Sequence, residues 1–103
     1  MEYYKSNDSN KIYLTQFCII IEDQFIYLPY SVASLWALAE KNKIVCRNEL
    51  KNIFFYREPI DNIIKKFDNP TLVGFSNYIW NENYNDTLAA KLKEKYPDCL
   101  IVY

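Results

Sequence analysis

Two kinds of apolar spacing alternate along this chain, and the alternation constrains its fold more than any other feature. Runs rich in β-branched and aromatic residues predict strands at 11–21, 53–56, 71–76 and 100–103. Between these runs, apolar residues recur at i, i+3, i+4 and i+7, the spacing of one helix face. The resulting order of four strands and three helices predicts a parallel sheet with right-handed crossovers and helices on both faces.

Each predicted helix has a start signal. Pro29 and Pro59 suit a first helical turn because their fixed φ and missing N–H cost nothing there, and Asn81 is predicted to be an N-cap. The predicted buried faces are Val32, Leu35, Trp36 and Ala39 in the first helix, Ile60, Ile63, Ile64 and Phe67 in the second, and Tyr84, Leu88, Ala89 and Leu92 in the third.

The predicted fold is a partial Rossmann-like (flavodoxin-like) α/β three-layer sandwich with four parallel strands in the order 2-1-3-4. Residues 22–24 are predicted to break the first strand and 25–28 to form a short apolar loop. Residues 47–51 are predicted to be a polar connection. We expect 1–10 to be a disordered leader and 11–103 to be one incomplete domain, since 103 residues make one domain at most.

The scarcity of Gly and the absence of His limit the kinds of binding and catalytic site that the chain can form. One Gly excludes multi-glycine phosphate loops and dinucleotide fingerprints, and the absence of His excludes Ser–His or Cys–His pairs and histidine zinc sites. Cys18, Cys46 and Cys99 lack CxxC spacing, so we expect buried thiols in a reducing compartment rather than a disulfide framework or a metal site. The chain therefore has no predicted catalytic residues and no predicted protein metal ligands.

Charge and hydropathy limit the partners. A net charge of −1 gives no broad basic field for a nucleic acid. The polar start carries no apolar signal core, and the longest apolar runs are far shorter than the roughly 20 residues that span a bilayer. We therefore expect a cytoplasmic protein that contacts neither nucleic acid nor membrane.

Two aromatic loops are predicted to meet where the strand order reverses. Ligands of doubly wound sheets bind outside the carboxyl ends of the strands at this point, here between the first and third strands. Loop 22–31 carries aromatic residues beside an acidic pair, and loop 76–81 reads SNYIWN, with no charge. Such loops favour a broad, flat, mostly apolar ligand with amide-like edges. The alternative is that the aromatic side chains pack against the helices or another domain.

Two residues near this edge have two readings each. Gly74 lies inside the third strand, where it permits either a tight strand–helix contact or close approach of a ligand. Ser76 follows that strand, and its hydroxyl either donates to a ligand or begins to cap the next helix. The sequence leaves both pairs of readings open.

Three segments carry a family resemblance. Segment 27–31, YLPYS, followed by LWA at 35–37, resembles the start of the N-terminal cobalamin-binding domain of many radical S-adenosylmethionine proteins. Segment 73–81, VGFSNYIWN, resembles the VGFSxYxWN stretch of that family more strongly. Segment 87–103, ending in YPDCLIVY, resembles the KxKxxxPxxxIVxGGP stretch that follows.

The resemblance implies a function and a set of contacts. It implies a cobalamin-binding module that is inactive alone, in an enzyme that would carry out methyl transfer. A corrin would lie over the strand ends, with aromatic residues against its face and polar groups near its amides or nucleotide phosphate. The implied cofactor-binding residues are Tyr27, Tyr30, Ser31, Ser76, Asn77, Tyr78, Trp80 and Asn81.

The departures from the family are also informative. The family's Gly-Gly-Pro loop, further helix and fifth strand are not in this sequence, nor is the CxxxCxxC motif of the iron–sulfur cluster. We therefore expect a fragment whose partner is a C-terminal radical S-adenosylmethionine domain, which would hold that cluster and S-adenosylmethionine. With no His, cobalamin would be bound without a histidine ligand below cobalt.

A second function stays open on the residues alone. If the strand at 100–103 is the last, it leaves an open sheet edge with apolar Leu100, Ile101 and Val102. Such an edge is typical of a small α/β interaction module that dimerises or pairs with another protein through its sheet.

Overall fold

A parallel sheet forms the centre of the protein in the computed structural model, which describes residues 10–17, 20–21, 24–25 and 30–103. The strands are β1 (Ile12–Thr15), β2 (Ile20–Ile21), β3 (Gln24–Phe25), β4 (Leu50–Phe54), β5 (Leu72–Phe75) and β6 (Leu100–Val102), and the helices are α1 (Tyr30–Lys41), α2 (Ile60–Ile63) and α3 (Glu82–Lys95). Short 3₁₀ turns cover Arg47–Glu49 and Ile64–Lys66. Residues 1–9 of the expected leader lie outside the described residues.

The sheet confirms the predicted topology. Its order is β4-β1-β5-β6, and every neighbouring pair is parallel. This is the order 2-1-3-4 of a Rossmann-like α/β fold. Thr15 at the end of β1 lies opposite Phe54 and Phe75, so the carboxyl ends of the three strands are level.

Helices cover both faces, as a three-layer sandwich requires. On one face, Ile63, Leu88 and Leu92 are fully buried in a cluster that includes Tyr13 and Val73 of the sheet. Each such large apolar side chain contributes about 1.5–3 kcal/mol to folding. On the other face, α1 buries Val32 and Trp36 against Leu14 of β1.

The first predicted strand is too long. β1 ends at Thr15, level with the ends of β4 and β5, so its parallel pairing with both neighbours stops there. Ile20–Ile21 instead pair antiparallel with Gln24–Phe25 in a separate two-stranded ribbon. The predicted break at 22–24 and loop at 25–28 are therefore wrong where β3 lies.

The second predicted strand is displaced. β4 runs over Leu50–Phe54, whereas the sequence predicted 53–56 and a polar connection at 47–51. Lys51 and Asn52 are polar and exposed because β4 is an outer strand of the sheet, where one side faces solvent. Leu50 nevertheless pairs with Ile12, so the ladder begins in the polar segment.

The predicted helix faces are mostly confirmed. Phe67 is buried at the end of the second face, and Leu88, Ala89 and Leu92 are buried in the third. Leu35 of α1 is the exception, since it is 62% exposed. Within the described part of the chain, no helix combines the length and the apolar character that a bilayer crossing requires.

Candidate functional site

The start of α1 is tied to the end of β1 by one side chain. The Gln16 side-chain oxygen accepts hydrogen bonds from the backbone N–H groups of Ser31 and Val32, at 3.0 and 3.2 Å. Gln16 directly follows β1, and its own N–H donates to the Phe54 carbonyl at 3.0 Å. These bonds satisfy two N–H groups that helix geometry leaves without partners, and they place Ser31 beside the strand ends.

Ser31, Ser76 and Tyr78 come together at these strand ends. Ser76 directly follows β5, and its N–H donates to the Thr15 carbonyl at 2.9 Å. The Ser76 hydroxyl and then the Ser31 hydroxyl hydrogen-bond to the Tyr78 phenol, and these bonds lower the pKa of Tyr78. Such bonds favour the phenolate because the serines donate to the phenol oxygen. The phenol O–H remains able to donate to an outside acceptor.

An apolar groove opens next to this hydroxyl cluster. It has a volume of about 340 Å³ and lies between α1 and the β5–β6 half of the sheet, with Ser31 and Ser76 in its wall. Its other lining residues are Leu14, Val32, Leu35, Leu72, Gly74, Phe75, Val102 and Tyr103. The groove explains why Leu35 is exposed: its side chain borders open space rather than a neighbouring layer.

Gly74 keeps the floor of the groove low. A Cβ added there would lie 3.0 Å from Leu14 Cδ2 and 4.0 Å from Leu72 Cδ2. No described helix atom lies within 4 Å of that point, so the reading of Gly74 as a tight strand–helix contact is not supported. The glycine instead leaves room at the groove floor, where even a Cβ would crowd the Leu14 side chain.

The loop after β5 presents an aromatic pair. The Tyr78 and Trp80 rings are stacked, with centroids 4.6 Å apart and planes 7° from parallel, and each residue is 36% exposed. Ile79 between them is 92% exposed. The Trp80 carbonyl accepts a hydrogen bond from the Arg57 guanidinium at 3.0 Å, which ties the loop to the segment after β4. The pair forms a partly exposed apolar surface.

Asn81 holds this loop in place from below. Its side chain is fully buried; Nδ2 donates to the carbonyls of Phe17 and Ser76, at 3.2 and 3.0 Å. Oδ1 accepts from the Tyr78 N–H at 2.7 Å and from Asn85 Nδ2 at 3.2 Å. Asn81 occupies the predicted N-cap position of α3, but its side chain makes no capping bond. Since its four hydrogen-bonding positions are occupied, Asn81 positions the loop.

Asn85 is a site residue that the sequence reasoning missed. It is fully buried, and its Nδ2 shares its two hydrogens among three oxygens: Asn77 Oδ1 at 2.9 Å, Asn81 Oδ1 at 3.2 Å and the Ser76 carbonyl at 3.3 Å. Its Oδ1 is buried without a hydrogen-bond donor among the described residues. The available signal was a polar residue at i+4 from Asn81 on the helix face that continues through Leu88.

The other predicted site residues fall into two groups. Asn77 and Trp80 lie in the loop with Tyr78, and Asn77 is exposed. Tyr30 is the first residue of α1, but its side chain lies outside the described part, as does all of Tyr27.

The polar groups that converge at the site are hydroxyls and amides. Over residues 10–17, 20–21, 24–25 and 30–103, no group of three or more His, Cys, Asp or Glu is arranged to hold a metal ion. The described side chains of the site offer hydrogen bonds and apolar surface to a ligand.

No family model matches the chain, and no curated protein matches it either.

Proposed function

We propose that this chain is a cobalamin-binding module that holds a corrin cofactor at the carboxyl ends of β1 and β5. One observation carries the proposal. Three hydroxyls, those of Ser31, Ser76 and Tyr78, meet at an apolar groove floored by Gly74. They meet between the strands where the order of a doubly wound sheet reverses, the usual ligand position in such folds.

The shape of the site suits a large flat ligand that enters it in part. Small-molecule pockets span roughly 300–1,000 Å³, so a groove of about 340 Å³ takes one arm of a corrin cofactor rather than the whole. The macrocycle would then lie against the stacked Tyr78 and Trp80. The absence of a side chain at Gly74 keeps the groove deep enough for that arm.

The polar groups of the site suit the edges of a corrin. A corrin carries amide side chains, and a phenol O–H such as that of Tyr78 can donate to an amide carbonyl or a phosphate oxygen. Asn77 offers an exposed amide, and Asn81 keeps the loop in position. Cobalt would receive no histidine ligand, since the chain has no His.

The role of the chain within an enzyme would be to bind the cofactor and orient it. Cobalamin supplies methyl-transfer chemistry when bound, while the protein positions it. In the enzyme class that the sequence resembles, the iron–sulfur cluster and S-adenosylmethionine belong to a separate radical domain, which we propose as the partner of this module.

Titration with hydroxocobalamin tests the proposal. We expect a change in the corrin absorbance bands and retention of the cofactor with the protein on gel filtration. Ser76→Ala removes a hydroxyl at the groove and should weaken binding about fivefold, the effect of about one net hydrogen bond. Thr87→Ala removes an exposed hydroxyl on α3 that bonds only the Asn83 carbonyl, so it is the matched control and should bind like the wild type. Absence of binding by the folded wild type would contradict the proposal.

A second function is favoured by the edge of the sheet. β6 pairs with β5 on one side, and among the described residues no strand pairs with its other side. Leu100 and Val102 on this strand are 57% and 43% exposed. We propose as the alternative an interaction module that pairs through β6 as an edge-strand dimer. Light scattering after gel filtration tests it, and a strict monomer at high concentration would argue against it.

A further inference from the structure

We propose that the flank of α3 beside β6 binds the same flank of a second copy of this chain, with Asp86 of each copy against Lys93 of the other. The inference rests on the second of the two proposed functions, because it names the contacts that accompany pairing at that sheet edge. It is independent of the proposed cofactor. Among the described residues, one side of β6 pairs with β5 and its other side pairs with no strand, so a further strand can be added there.

Two hydrogen bonds show which flank of α3 lies beside β6. The hydroxyl of Tyr103, one residue after β6, donates to Asp86 Oδ1 at 2.9 Å. Lys93 Nζ donates to the carbonyl of Cys99, one residue before β6, at 2.7 Å. Asp86 and Lys93 are seven residues apart, which is two helical turns, so they share this flank. Asp86 is therefore level with the carboxyl end of β6, and Lys93 is level with its amino end.

Twofold symmetry limits how two such edges can pair. In one arrangement the two β6 strands are antiparallel, and both α3 helices lie on the same face of the joined sheet. In the other the strands are parallel, and the helices lie on opposite faces. Only the antiparallel arrangement brings the two α3 flanks together, and it sets Asp86 of one copy level with Lys93 of the second copy. The opposite charges therefore favour antiparallel pairing.

The register of the antiparallel pair follows from the same contacts. Ile101 lies midway between Cys99 and Tyr103, so a pair centred on Ile101 sets the end of one β6 opposite the start of the other. The acidic and basic groups of the two α3 flanks then lie at the same height. In this register Leu100 lies opposite Val102 of the second copy. These side chains are 57% and 43% exposed, and each would cover the other.

The spacing of the layers lets the two helices meet. α3 shares a buried cluster with Val73 of β5, and Ile101 of β6 packs against that cluster. Since α3 lies over these two strands, its axis is about one strand spacing from the twofold axis, and the two helices would be about 10 Å apart, the usual distance for packed helices. Ala90 is exposed between Asp86 and Lys93, and its small side chain allows this approach.

Both charged groups have capacity for a contact with a second copy. Lys93 is exposed, and its ammonium has three N–H donors, of which the carbonyls of Pro97 and Cys99 accept two. Asp86 is exposed and has a second oxygen beside the one that Tyr103 contacts. Twofold symmetry repeats the contact, so each dimer has two ion pairs. Exposed ion pairs contribute little affinity, so we expect these to select the antiparallel arrangement while the strand edges supply most of the binding.

Charge reversal in two separate proteins tests the contact. Asp86→Lys sets two pairs of positive groups against each other, and Lys93→Glu sets two pairs of negative groups against each other. Each variant alone should raise the dissociation constant of the dimer about tenfold, measured by sedimentation velocity, because two contacts turn from attractive to repulsive. Mixed in equal amounts, the two variants pair a positive flank with a negative flank, so a heterodimer should form about as tightly as the wild-type dimer. No effect within one chain explains recovery on mixing.

The matched control changes the other flank of α3. Lys91 is seven residues after Tyr84, whose hydroxyl donates to the carbonyl of Glu58, just before α2, so Lys91 lies on the flank away from β6. Lys91→Glu makes the same change of charge as Lys93→Glu and should leave the dissociation constant unchanged. An equal loss of pairing in both variants, or no recovery on mixing, would overturn the inference.

Salt gives a measurement that needs no variant and stands if a variant fails to fold. The wild-type dimer should weaken as NaCl rises from about 0.05 to 0.5 M, because screening weakens exposed ion pairs. A wild-type dimer that neither salt nor charge reversal changes would overturn the α3 contact and leave edge-strand pairing standing. A wild type that stays monomeric at millimolar concentration would overturn both, whereas the titration with hydroxocobalamin would still decide the cofactor proposal.

Discussion

Replacement of Gln16 by Leu tests how the end of β1 and the start of α1 are joined. The Gln16 side-chain oxygen is the acceptor for the N–H groups of Ser31 and Val32, and Leu of similar size cannot accept. The bond to Ser31 is exposed, so water can replace it, but the bond to Val32 is partly buried. The cost therefore falls mainly on Val32.

The expected magnitude follows from helix capping. Loss of a capping side chain costs about 0.5–2 kcal/mol, and with one of the two N–H groups rehydrated we expect about 1–1.5 kcal/mol. For a domain of this size, each kcal/mol lowers the melting temperature by about 4–8 °C. Gln16→Leu should thus melt roughly 5–10 °C below the wild type. Urea unfolding, followed by Trp fluorescence, gives the free energy, and Trp36 on α1 is buried in the folded chain.

Gln16→Glu should act in the opposite direction. A carboxylate keeps both acceptor bonds and adds a negative charge at a helix N-terminus, which contributes about 0.3–1 kcal/mol. The helix lowers the folded-state pKa of that carboxyl, so the gain is present above the unfolded value of about 4.3 and is lost as pH falls through the folded value. If Leu and Glu at position 16 both unfold like the wild type, Gln16 does not hold the start of α1.

Three further outcomes follow from the structure. NMR titration should give Asp68 a pKa below 3.8, because the Lys11 ammonium donates a hydrogen bond to its carboxylate at 2.9 Å. The stabilisation from this pair should disappear as pH falls through that pKa, and Lys11→Met should return the pKa of Asp68 to 3.8. Burial, with the Glu58 charge, raises the pKa of Tyr84 to about 12, so the phenol stabilises the fold fully below pH 10 and less as pH rises towards 12. The difference in 295 nm absorbance between the wild type and Tyr84→Phe should show this phenol ionising near pH 12. Leu92→Ala should lower the free energy of unfolding in urea by about 2–5 kcal/mol, whereas Leu38→Ala, on the exposed side of α1, should change it by less than about 0.5 kcal/mol. Equal losses would contradict the assigned core.

The sequence pattern predicted most of the fold because the spacing of apolar residues within each helix or strand shows which of its faces is buried. The stripe through Leu88 and Leu92 and the continuous run at β5 each identify an element without knowledge of its neighbours. β4 was misplaced because an outer strand carries polar residues such as Lys51, so its composition resembles a loop. The end of β1 is set by where β4 and β5 stop, which is information from other parts of the chain.

The sequence predicted where the candidate site lies on the sheet, but not the hydrogen bonds within it. The strand order located the loop after β5, and Ser76 and Tyr78 do lie at the strand ends. The different roles of Asn81 and Asn85 could not be predicted, because they depend on which backbone groups face each amide in three dimensions. The groove depends on how α1 sits over the sheet, and Leu35 has the same sequence spacing whether it faces a layer or open space.

The bond from the Tyr78 N–H to buried Asn81 Oδ1 has a consequence for hydrogen exchange. Loop amides usually exchange through small local openings, but this one bonds a buried side chain that also holds the Phe17 carbonyl beyond β1 and the Ser76 carbonyl beyond β5, so we expect it to exchange more slowly than an unbonded loop amide. One buried side chain thereby connects the surface loop to the ends of two strands. The exposed aromatic pair stands on a backbone that is anchored to the sheet through that side chain.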